Sequence, residues 1–73
     1  MREEYNILIE KDEEGWLIGS VIELPGCHTQ AKTYDELIER LKEAIALYLE
    51  VKGGEYEKTT EFIGIQKLHY QNV

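Results

Sequence analysis

Cys27 next to His28, the carboxylates Glu10 and Glu23, and the acidic run Asp12-Glu13-Glu14 are the residues whose types and spacing could do chemistry in this chain. An imidazole beside a thiol can take its proton and leave a nucleophile. Neighbours in an extended segment project to opposite faces, however, so Cys27 and His28 would not readily serve each other, and we read Cys27 as a small, buried turn residue. Metal-dependent phosphodiester hydrolysis needs several carboxylates converging on paired divalent ions. Glu10 and Glu23 each close a strand, and the middle of the first strand offers only Ile7, Leu8 and Ile9. These carboxylates are therefore read as surface groups, with no catalytic residue, metal or other cofactor expected. His28 and His69 would ligate a metal only with further ligands that the sequence does not identify. Cys27 is the only cysteine, which rules out an intrachain disulfide.

The balance of charge points elsewhere. With 15 acidic and 8 basic side chains the formal charge is −7, which opposes the phosphate neutralisation behind most nucleic-acid affinity. Direct binding to DNA or RNA is not expected. The same acidity favours a basic protein partner, because complementary fields steer encounter. Tyr5, Trp16, Tyr34, Tyr48 and Phe62 would stack bases if basic residues were interleaved with them. Their neighbours are mostly acidic, so half-buried packing is the better reading, above all for Trp16 and Tyr48. No apolar run approaches the roughly 18 residues that span a bilayer, and Met1-Arg2-Glu3-Glu4 lacks the order of a signal peptide. A cytoplasmic location is the expectation.

A chain of 73 residues has room for one domain, residues 1–73, with a small core that gains from self-association or a partner. Tyr5, Ile7 and Ile9 alternate with Asn6, Leu8 and Glu10, which predicts a strand over 4–10. Lys11 to Gly15 is a charged turn, and residues 16–22 are aromatic and β-branched, completing an antiparallel hairpin. Leu24-Pro25-Gly26-Cys27 breaks that strand, and 28–31 returns as a short third one. Thr33 and Glu36 fit a capping box opening a helix at Tyr34. Leu37, Leu41, Ala44, Ile45 and Tyr48 then recur at helical spacing, opposite Asp35, Glu39, Arg40, Lys42, Glu43 and Glu50. Ile38, Leu47, Leu49 and Val51 widen the apolar area, and Gly53-Gly54 supplies a left-handed stop. After a polar connection, residues 62–68 read as a last strand, returning over the sheet by a right-handed crossover if parallel to the first. The resulting fold is α+β, a single β-β-β-α-β layer with one helix packed on a three-to-four-stranded sheet.

Several local patterns together resemble the HicB-like antitoxins. They are Tyr5-Asn6-Ile7-Leu8-Ile9-Glu10, the acidic turn ending Gly15-Trp16, Leu24-Pro25-Gly26-Cys27, and Thr29-Gln30-Ala31-Lys32-Thr33. Glu36-Leu37, Glu43-Ala44-Ile45, Tyr48-Leu49 and Phe62-Ile63-Gly64-Ile65-Gln66 continue the likeness over residues 4–68. The resemblance implies an incomplete RNase H-like fold and a partner, HicA, a small basic RNA-cleaving toxin whose active site HicB masks. Full-length members usually continue into a DNA-binding segment. Here only residues 69–73 follow the last strand, so operator binding is not expected.

The reading that follows is a protein-binding antitoxin without chemistry of its own. Its first expected partner contacts are Asp12, Glu13, Glu14, Trp16, Glu23, Pro25 and His28. A stand-alone oligomeric scaffold is the alternative, with a homodimer or tetramer expected for the isolated chain.

Overall fold

Period-two alternation and three tight connections build the domain. The computed structural model describes residues 4–52 and 60–71. Strand β1 is Ile7–Lys11, β2 is Leu17–Val21, β3 is His28–Ala31, and helix α1 follows over Tyr34–Val51. β2 lies in the middle of the sheet and is antiparallel to both neighbours, with Ile7 opposite Val21, Lys11 opposite Leu17, and Leu17 opposite Ala31. β3 occupies the 28–31 stretch expected of it, while β1 and β2 are shorter than the runs that predicted them.

Side chains and turn residues shape the two connections between the strands. Asp12 Oδ1 accepts from the N–H groups of Glu14 and Trp16, both at 2.9 Å, an Asx turn that sets the first hairpin. At the second turn the Cys27 N–H donates to the Leu24 carbonyl at 2.9 Å. Pro25 pre-sets the first central position there, and Gly26 takes the positive φ of +85° that a type II turn demands of the second.

Thr33 caps α1 as expected, its Oγ1 accepting from the Glu36 N–H at 3.2 Å. The reciprocal half of the capping box gives way to a stronger contact. The Glu36 carboxylate turns to Arg40 at 2.6 Å, because a charge-assisted bond exceeds one to a neutral amide. Arg40 also donates to the Gln30 carbonyl at 2.9 Å, tying the helix to β3. The helix closes at Lys52. The expected Gly53-Gly54 stop, and residues 55–59 of the polar connection, lie outside the described residues.

Val21, Leu24, Cys27, Ala31, Leu37 and Leu41 form the buried core, with Ile38, Ala44, Ile45, Tyr48 and Leu49 packed around it. Gly19 lets the helix approach: a Cβ there would stand 3.0 Å from Leu41 Cδ1. The helix packs on β3 and β2, offset from β1.

The expected fourth strand is not formed. Residues 60–71 carry neither strand nor helix, and Ile63 is 93% exposed, so the β-β-β-α-β layer is corrected to β-β-β-α. Alternation in 62–68 gives a segment two faces, but a strand exists only when a neighbour supplies its ladder of N–H and C=O partners. The architecture is α+β, a three-stranded antiparallel sheet followed by one helix.

Candidate protein-binding surface

The strand register sorts side chains onto two faces. Gly19, Val21 and Ala31 point under the helix, where they are buried. By alternation the opposite face carries Leu8 and Glu10 from β1, Ile18 and Ser20 from β2, and His28 and Gln30 from β3. Trp16 and Ile22 extend that row at either end of β2. Leu8 and Ile22 are exposed and Ile18 is half-buried, so the uncovered face has an apolar centre.

At one end of this face Lys32 Nζ lies 4.3 Å from the centre of the Trp16 ring and donates to the Glu14 carbonyl at 3.4 Å. The cation–π contact holds the half-buried indole against the acidic turn. Glu13 and Glu14 present their side chains to solvent, whereas Asp12 spends one carboxylate oxygen on the turn itself. Glu23 lies at the other end, where it accepts from the Asn6 backbone N–H at 2.8 Å and from Asn6 Nδ2 at 2.6 Å. Pro25 and His28 are exposed nearby.

The seven residues singled out from sequence thus fall into two groups. Asp12, Glu13, Glu14 and Trp16 stand at one end of the sheet, and Glu23, Pro25 and His28 at the other. At about 3.3 Å per residue the groups are roughly 20 Å apart. Leu8, Ile18 and Ile22 connect them; the stretch from Trp16 to His28 that the sequence pointed to contains Ile18 and Ile22 without singling them out, and Leu8 lies outside it. The signal was present in the Trp16-Ile18-Ser20-Ile22 alternation, which placed all four on one face without saying which face the helix would take.

Cys27 is buried in the core while His28 is exposed. Burial pushes the Cys27 thiol above its ordinary value of 9.0, which keeps it protonated and weakly nucleophilic at neutral pH. Among the described residues no group of three or more His, Cys, Asp or Glu side chains is placed to hold a metal ion. No helix among them is long and apolar enough to cross a membrane. An open, largely apolar cleft of about 290 Å³ lies between Gly26–His28 and the helix residues Ala44, Leu47, Tyr48 and Val51.

These features define a small α+β protein in which Asp12 shapes a turn, Glu23 holds Asn6, Cys27 belongs to the core, and one sheet face is left uncovered by the helix. Residues 5–72 match the HicB-like antitoxins of bacterial toxin-antitoxin systems, and the chain belongs to that family. The chain is 60% identical over 62 residues to a UPF0150 protein of Archaeoglobus fulgidus, covering 85% of this chain and 87% of that one. A UPF0150 protein of Synechocystis is 48% identical over 67 residues, 92% of this chain and 94% of the relative. One from Thermotoga maritima is 31% identical over 72 residues, 97% and 95% of the two chains. Membership carries a general antitoxin role and, with it, a toxin partner.

Proposed function

We propose that this chain neutralises a small, basic, HicA-type RNA-cleaving toxin in the cytoplasm by laying the uncovered sheet face over the toxin's active site. One observation carries the reading: an exposed face with Leu8 and Ile18 at its centre, Ile22 at one end of the row, and Glu10, Glu13 and Glu14 around it, on a chain of charge −7. An apolar centre with a charged rim suits a specific protein interface, and acidic rims speed encounter with a basic partner. Trp16 and His28 lie on this face as anchors, with Pro25 and the acidic turn at its ends. Asp12 and Glu23 support it at its two ends by shaping the turn and holding Asn6. No reaction is assigned to the chain.

Co-expression with a small basic ribonuclease encoded beside it tests the reading, with pull-down and growth as readouts. A complex that restores growth is expected, and absence of both discards the toxin-masking role. Glu13→Lys with Glu14→Lys should weaken capture while the domain stays folded. If capture is intact in that variant and in Ile18→Lys, the surface is misplaced even though the role stands.

A stand-alone oligomeric scaffold is the second reading, as homodimer or tetramer, favoured by the exposed apolar side chains of Ile63, Ile65, Leu68 and Tyr70. A discrete homo-oligomer with no toxin partner would select it.

A further inference from the structure

The two edges of the sheet are treated differently. The Val21 N–H donates to the Cys27 carbonyl, so the odd residues of β2 face β3, and by alternation the outward backbone groups of β3 are those of His28 and Gln30. Arg40 closes this edge by donating to the Gln30 carbonyl at 2.9 Å. On the other side the Ile22 N–H donates to the Asn6 carbonyl and the Asp12 N–H to the Trp16 carbonyl. The even residues of β1 therefore face β2, and the N–H and C=O groups of Ile7, Ile9 and Lys11 point outwards. No neighbouring strand among the described residues takes them. The helix is offset towards β3 and leaves Ile9 39% exposed on the face it otherwise covers. An edge whose outward N–H and C=O groups are untaken is a template for a further strand.

The same chain carries a strand-like segment that has no ladder. In residues 62–68, Ile63 and Ile65 share one face while Phe62, Gly64, Gln66 and Leu68 share the other. Ile63, Ile65 and Leu68 are 93%, 75% and 84% exposed. The chain is also too extended for its size: its radius of gyration is 14.6 Å, against about 11 Å for a compact domain of this length. Its longest dimension of 50 Å is almost twice the about 27 Å of an 18-residue helix.

We propose that residues 62–68 are an exchange arm, which adds as a strand to the open β1 edge of a second copy of this chain while that copy's arm returns the contact. Ile63 and Ile65 then join the row of Ile7 and Ile9 and cover the flank that the offset helix leaves bare. The reciprocal contact closes a two-fold dimer and leaves no edge to propagate. Each four-stranded sheet of the pair is completed by its neighbour. The inference does not depend on the antitoxin role, since the receiving groups are the backbone of Ile7, Ile9 and Lys11, whose side chains lie on the helix side of the sheet and not on the proposed toxin-binding face.

The test is the mass of the full chain in solution, by sedimentation and native mass spectrometry, for the wild type and two variants. Gly64→Pro with Ile65→Pro removes an amide donor from whichever side the arm presents, in a segment outside the core. Ile9→Pro blocks the receiving edge at an outward N–H, where proline is tolerated, and Ile9→Lys does so by charge if the proline variant fails to fold. The wild type should be a dimer. Each variant alone should dissociate about a hundredfold more readily or be monomeric. Mixing an arm variant with an edge variant at high concentration should restore a one-to-one dimer through the single intact joint. A monomeric wild type overturns the proposal, as does a dimer that survives the arm variant or a mixture in which no heterodimer forms.

Discussion

The two faces of the same three strands do opposite work. Under the helix, Val21 and Ala31 from the sheet meet Leu37 and Leu41 and lose nearly all contact with water. On the other face Leu8 and Ile22 stay exposed, although they are at least as apolar and Ile22 sits one residue away from buried Val21. Residue type therefore does not separate fold from function in this molecule. The side of the pleat does, because only one side has a helix to pack against.

The sharpest way to break the contrast is to damage the covered face. Leu37 is fully buried, and Leu37→Ala should cost about 2–5 kcal/mol, a large fraction of what a domain this small possesses. Urea denaturation would read it, and a shift under about 1 kcal/mol would mean that the helix is not docked as described. Gly19→Ala adds a methyl group where Leu41 Cδ1 stands 3.0 Å away, and should cost about 1–3 kcal/mol. Combining it with Leu41→Ala should give less than the sum of the two, since the substitutions share one space.

On the uncovered face the expectation reverses. Ile22→Lys should leave stability within about 0.5 kcal/mol, as for a surface change, yet reduce toxin capture. Loss of fold with that substitution would show the face to be structural. A smaller effect concerns Cys27. Its thiol is raised above 9.0 by burial, so the folded state holds its proton more tightly than the unfolded one. This contribution is fully present below pH 9, is lost as pH rises through the raised value, and should vanish in Cys27→Ala. Alkylation of the native protein should be slow for the same reason.

Much of the domain was legible in local chemistry. Pro25-Gly26 announces a turn, Thr33 announces a cap, and Leu37, Leu41, Ala44 and Ile45 mark the helix face, because turn geometry, capping and helical period are settled by residues close in sequence. The third strand was legible too, bounded by the turn before it and the cap after it. Family membership was readable from the same ensemble of short patterns, which the match over residues 5–72 bears out.

Other features required partners distant in the chain. Glu36 was expected to close a capping box, but Arg40 and the Gln30 carbonyl claim that region. Asp12 and Glu23 read as free acids, yet one organises a turn and the other holds Asn6. Residues 62–68 had the alternation of a strand and no ladder to join. Local sequence thus determined the strands, turns and helix that this chain can form, because those depend on backbone preference and period. Tertiary structure alone decided which sheet face the helix covers, which edge Arg40 closes and which is left open, because a ladder or a packed face exists only when a second element supplies the other half.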